Sequence, residues 1–242
     1  MNLTVSGRHD IEMLEDWVVE KFSPIENKEV VLPDLGQPSP YPMENLGKLV
    51  KFVPVKDKDI ITIFWILPYV QKDIKAQPLG YYAFLFGHEG ENSLLSYLKS
   101  EGLANELSAG GDHELWSFSN FYVDISLTKK GLQNYERVVE IVFQYAKNIK
   151  DAGPQEYIYK ENNDLGKMQF EFQDKVNAVN YCVSLASKMQ ILDETNLDQI
   201  LRSNYIVDEF DHQKLKNVAE VLCDPSKFNI MLRSKSLEGE AD

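Results

Sequence analysis

The longest apolar run in the chain, Ile60 to Leu67 (IITIFWIL), restricts the fold more than any other stretch. A helix that spans a bilayer needs about 20 apolar residues, so this run is too short for one. It reads instead as a strand apolar on both faces, which belongs at the centre of a sheet covered on each side. Such a strand needs neighbours. Leu49 to Val55 supplies one, joined to it through Lys56-Asp57-Lys58-Asp59 as a hairpin turn. Trp116 to Leu127 supplies another: Phe121, Val123, Ile125 and Leu127 alternate with Tyr122, Asp124 and Ser126. Trp116 and Phe118 fall out of that phase, which predicts a bulge near Ser119-Asn120.

Helical periodicity fills most of the remainder. Leu3 to Val5 reads as a short strand, and Asp10 caps a helix carrying Ile11, Leu14, Val18 and Phe22 at intervals of three or four. This β-α unit has no evident partner, and its unsatisfied strand edge predicts self-association. Five prolines from Pro24 to Pro42 break regular structure, so a linker is expected there, with a boundary near Asn45 dividing 1–45 from 46–242. Leu79 to Phe86 forms a mostly apolar helix. Thr128 caps a long helix with Leu132, Tyr135, Val139, Val142, Ala146 and Ile149 on one stripe, ended by Gly153-Pro154. Three more helices follow, with buried sides at Ile158, Leu165, Met168 and Phe172, at Tyr181, Cys182, Leu185 and Met189, and over Asp208 to Leu222. Phe228 to Leu232 closes the chain with a strand. This order lacks strict β-α-β alternation, so the fold class is α+β, with helices covering a mixed, largely antiparallel sheet.

Between the strands lies GHEGENSLLSYLKSEGLANELSAGG, Gly87 to Gly111, where any site is expected. Gly87 and Gly90 bracket His88 and Glu89, and glycine permits positive φ or close backbone approach. Asn92 or Ser93 caps a helix with Leu94, Leu95 and Leu98 on its core face, and Gly102 stops it. Leu103 to Ser108 is a strand ending on Ala109, Gly110 and Gly111. Acidic groups beside such a strand suit a peptide.

With 25 basic and 38 acidic residues the net charge is -13, which argues against a phosphate-backbone ligand and favours cationic or amine-bearing partners. Cys182 and Cys223 read as free thiols of a reducing compartment, although one disulfide is compatible with them. No N-terminal apolar segment follows Met1, so a soluble, unprocessed, cytoplasmic protein is expected. Each histidine falls short of a zinc-peptidase motif: His9 and His88 lack the second histidine of H-x-x-E-H, His113-Glu114 fails H-E-x-x-H, and His212 has Leu215 where a glutamate is required. Nucleophile-elbow, phosphate-loop and C-x-x-C patterns are missing. By its own residues the chain has no catalytic set and no metal site.

GHEGENSLLSYLKSEG, LTKKGLQNYERVVEIVFQY, GPQEYIYKENNDL and SKSLEG, in this order, resemble the second domain of the insulinase, or pitrilysin, family of zinc metallopeptidases. NLTVSGRHDIEMLEDWVVEKFSPIENK resembles the last β-α unit of that family's first domain. The resemblance implies a LuxS/MPP-like domain from a protein of four homologous α+β domains, whose two halves close around a peptide. It implies zinc in the first domain of the parent, a degenerate counterpart of the zinc helix at Leu79 to Phe86, and a chain excised from a longer enzyme. It also implies an exosite that holds the substrate's amino terminus, carried here by Gly87, Glu89, Leu107, Ala109 and Gly110. Relatives have glycine where Ala109 stands and histidines where Gly80 and Phe84 stand, so peptide preference is expected to differ. The alternative is a scaffold domain, like the core subunits of the respiratory cytochrome complex, that binds no peptide. An autonomous peptidase is disfavoured by the incomplete motifs.

Overall fold

The computed structural model describes residues 2–31, 41–68, 70, 73–112, 118–192 and 197–239. The chain forms two compact units, Met1–Asp34 with Leu165–Ile206, and Leu35–Asp164 with Val207–Asp242.

The larger unit is built on a five-stranded sheet in the order β1-β5-β2-β4-β3. Its strands are β1 Leu49–Phe52, β2 Ile60–Pro68, β3 Ala104–Asp112, β4 Phe118–Leu127 and β5 Phe228–Arg233. β2 runs antiparallel to β4 and β5, β3 antiparallel to β4, and β1 parallel to β5. β2 is central, as its composition requires. The expected hairpin with β1 does not form, because β5 enters between them. The connection from Val53 to Asp59 readily steps over the two strand spacings, about 10 Å, that this demands.

Ile61, Ile63, Trp65 and Leu67 of β2 turn inward and are essentially inaccessible, while Ile60, Thr62, Phe64 and Ile66 on the opposite face stay half-buried. The double-sided cover expected for β2 is thus complete on one side only. Inward residues of β4 (Phe121, Val123, Ile125) and β5 (Leu232) extend the core. Four helices close it: α2 Pro78–Phe86, α3 Leu94–Ser100, α5 Tyr135–Ala152 and α8 His212–Leu222. Each large side chain so buried contributes roughly 1.5–3 kcal/mol. Phe121, Phe143, Phe86 and Phe228 surround Trp65, with ring centroids 5.7–6.4 Å away.

β4 has no bulge at Ser119-Asn120. Its alternation continues through them, with Ser119 inward, its hydroxyl accepting the Val70 N–H at 3.1 Å, and Phe118 on the other face. The irregularity is on β3, where the register shifts at Asn105. Trp116 lies outside the described residues, as do Pro33, Pro38 and Pro40 of the expected linker. The helix capped by Thr128 is two helices, α4 Lys129–Gln133 and α5, broken at Asn134 with φ -123 and ψ 36. α5 buries Val138, Ile141, Val142 and Ala146, a stripe rotated from the expected one, and ends at Gly153 with φ 71.

In the smaller unit, Asp10 caps α1 Ile11–Phe22 by accepting the Met13 N–H at 3.0 Å. Leu3 to Val5 is not a strand, since no neighbouring strand pairs with it among the described residues. The sheet edge expected there does not exist. The chain passes between the units within α6 Glu156–Glu171, where Gly166 lies so close to Tyr205 that a Cβ would stand 1.8 Å from its carbonyl oxygen. Leu165, Met168 and Phe172, expected on a buried side, are exposed. So is Tyr181 of α7 Ala178–Ile191, and neither α1 nor α7 has a buried residue. Among the described residues no helix is long and apolar enough to cross a membrane, and both cysteines are free thiols.

Candidate functional site

The acidic loop joins two helices that both pack on β3. α2 starts with Pro78 and is pinned by its tyrosines: Tyr82 Oη donates to the Leu215 carbonyl at 2.8 Å, and Tyr81 Oη accepts the Gln155 N–H at 2.9 Å. Burial pushes both phenols above their ordinary pKa. They are structural hydroxyls. Gly87 terminates α2 with ordinary helical φ, and it is glycine because a Cβ would lie 2.9 Å from the Ala83 carbonyl oxygen. The left-handed residue is Asn92, at φ 64. Between them the His88 ring folds over Gly90, whose N–H donates to Nδ1 at 3.1 Å. A Cβ on Gly90 would strike that ring at 2.4 Å. Ser93 then caps α3 by accepting the Ser96 N–H. This wiring leaves the Glu89 carboxylate exposed, with no recorded bond among the described residues.

β3 is an edge strand that pairs, among the described residues, with β4 alone, so alternate backbone N–H and C=O groups face away from the sheet. Leu107 and Ala109 point into the core face, while Gly110 lies on the opposite face under the Tyr122 ring. A Cβ at Gly110 would meet Tyr122 Oη at 2.9 Å, and one at Gly111 would meet Leu79 Cδ1 at 2.8 Å. The two glycines thus serve opposite faces, one seating Tyr122 and the other admitting α2. Of the five residues expected at an exosite, Leu107, Ala109 and Gly110 share one strand, and Gly87 and Glu89 share the loop. What ties strand to loop is the packing of α2 and α3, while Leu107 and Ala109 can offer a ligand only their backbone. Tyr122 escaped the sequence reading because strand alternation gives its face but not its stacking on a glycine.

Zinc does not fit these residues. α2 carries Leu79, Tyr81, Tyr82 and Phe86 inward, and among the described residues no three His, Cys, Asp or Glu side chains converge as metal ligands. His9 packs on Trp17, His88 on Gly90 and His212 on Phe210, while His113 and Glu114 lie outside the described residues.

The larger unit thus presents a sheet with helices on one face and an outer strand, β3, that has no second neighbour among the described residues. Residues 1–162 match the peptidase M16 inactive domain. The chain belongs to the peptidase M16 family. Residues 170–242 match the middle or third domain of the same family. The M16 chain is 36% identical over 243 residues to insulin-degrading enzyme of Drosophila melanogaster and 35% identical over 242 residues to that of Homo sapiens. It is 31% identical over 247 residues to human nardilysin. All of this chain is covered each time, but only 24%, 23% and 21% of the respective relatives, so it spans about a quarter of their length. The crystal structure of pitrilysin superposes on 95% of the chain, and 24% of its own, with a TM-score of 0.88 at 20% identity, a likeness of fold.

Proposed function

We propose that this chain is a non-catalytic, peptide-anchoring domain of a larger zinc metalloendopeptidase. In this reading zinc is held by a domain outside the chain, the other domains of that protein are its partners, and the sheet face opposite the helices lines a substrate chamber. The observation that carries it is the edge strand β3: among the described residues it has no partner on its outer side, it carries Gly110-Gly111 near its end, and it is braced by the helices that hold the Glu89 loop. An extended peptide adds to such an edge by main-chain hydrogen bonds, and a solvent-facing carboxylate receives its ammonium group. Holding one end of a peptide raises the concentration of its remainder at a distant catalytic centre. Nucleic acid has no place in this scheme, given the acidic balance.

The test is a titration of the chain with a peptide bearing a free amino terminus and with its acetylated twin. The free amine should bind about tenfold tighter, in keeping with one charge-assisted hydrogen bond. Glu89→Gln should shrink that ratio toward one. Equal affinity of the twins for the unaltered chain would overturn the amine anchor.

A further inference from the structure

On the sheet face opposite the helices, three strands gather three polar side chains in a field of half-buried apolar ones. Thr62 of β2 stands between its register partners Asp124 of β4 and Met231 of β5, and Arg233 of β5 is opposite Ile60 one row along. The guanidinium reaches back over β2. Its Nη2 donates to Thr62 Oγ1 at 2.5 Å and to Asp124 Oδ1 at 3.1 Å, and the Thr62 hydroxyl donates to the same carboxylate oxygen. Phe52, Ile60, Phe64, Tyr122 and Met231 share this face, all half-buried. Arg233 has five N–H donors, yet these bonds use Nη2 alone. Nε is buried without an acceptor, and Nη1 has no recorded partner among the described residues. The side chain is 28% exposed, so the guanidinium is fixed from one side and open on another.

An ion pair set among apolar side chains is seldom retained for stability, because an apolar pair of similar volume does as well. Unused donors on a fixed guanidinium need another explanation. We propose that Arg233, held by Asp124 and Thr62, receives a main-chain carbonyl oxygen of a peptide lying across this face; the inference rests on the peptide-anchoring reading for its occupant. A neutral oxygen fits better than a carboxylate. Asp124 already balances the guanidinium charge, and a second anion would face both Asp124 and a chain of net charge -13. From the outer side of β3, crossing β3 and β4 to β2 is three strand spacings, about 14 Å, or some four extended residues beyond the anchored segment.

The experiment measures affinity of the full chain for the free-amino peptide and its acetylated twin, in the unaltered protein, in Arg233→Met, and in Arg233→Met with Asp124→Leu. The double variant removes both charges, leaves no orphaned carboxylate and should keep the parent's thermal midpoint. Both variants should bind both twins about tenfold more weakly, with the ratio between twins unchanged. Exchanging glutamate for glutamine in the peptide should leave that loss the same. Parent-like affinity in the folded double variant would overturn the assignment, and so would a loss confined to glutamate-bearing peptides. Equal binding of the twins by the parent would overturn only the amine anchor, because the Arg233 comparison remains readable with either peptide. Absence of any peptide binding by the parent would overturn both.

Discussion

Asp59 shows how much one side chain can hold at the mouth of a strand. It precedes β2, accepts the Ser234 hydroxyl at 2.5 Å and Lys129 Nζ at 2.9 Å, and its own carbonyl takes the Leu127 N–H. Three sequence-distant segments meet on one residue. Burial raises the pKa of its carboxyl, but the hydrogen bonds from Ser234 and Lys129 outweigh burial and the net direction is down. A carboxyl whose folded pKa lies below its unfolded value, near 3.9, adds stability above that value and loses it as pH falls through the folded value. Asp59→Asn should therefore lower stability at pH 7 by about 1–3 kcal/mol. It should also flatten the acid limb of the stability profile, measured by urea unfolding from pH 7 down to pH 3. A variant whose acid limb runs parallel to the parent's would show that Asp59 does not carry the linkage.

At the scale of elements, α2 and β3 depend on each other through Gly111. A side chain there has nowhere to go except into Leu79, which is 4% exposed and already part of the core. Gly111→Val should destabilise the chain by about 1–3 kcal/mol through overpacking, and a melting curve reads the loss. It should also weaken free-amino peptides more than acetylated ones, because displacing α2 displaces the Glu89 loop. Local chemistry made these elements legible: Asp10, Ser93 and Thr128 cap their helices, and Gly102 and Gly153 take positive φ at helix ends. Strand order was not legible. Placing β5 between β1 and β2 depends on a pairing across some 180 positions, as between Leu49 and Ile230, and periodicity reports only which face a residue occupies. The phase of β4 is hidden for a related reason. The apolar pattern puts Trp116 and Phe118 out of phase and so asks for a bulge, whereas in the structure polar Ser119 takes the inward place by accepting a backbone N–H and the alternation runs unbroken. The loop residues were visible as a pattern, but the causes differ: Gly87 answers to the Ala83 carbonyl, and the left-handed turn falls to Asn92. The Thr62, Asp124 and Arg233 cluster joins three strands and could not be seen before their order was known.

The two units of the molecule differ in what holds them. The larger has a continuous apolar core of sheet and helices, from Ile61 through Phe121 and Val142 to Leu232. The smaller has α1 and α7 with no buried residue, and Ile11, Val179 and Val183 are 81%, 69% and 61% exposed. Opening free energy follows buried apolar contact, so amides of α1 and α7 should exchange with solvent through local opening, and those of β2 and β4 only through global unfolding. Hydrogen exchange followed by mass spectrometry should find α1 and α7 peptides exchanged at least a hundredfold faster than β2 and β4 peptides, corresponding to a gap of about 3 kcal/mol. If the other domains proposed above cover apolar residues such as Ile11 and Val183, the same helices should exchange slowly in the longer protein. Equal protection of both units in the isolated chain would show that α1 and α7 need no such support, and would favour a self-sufficient scaffold domain.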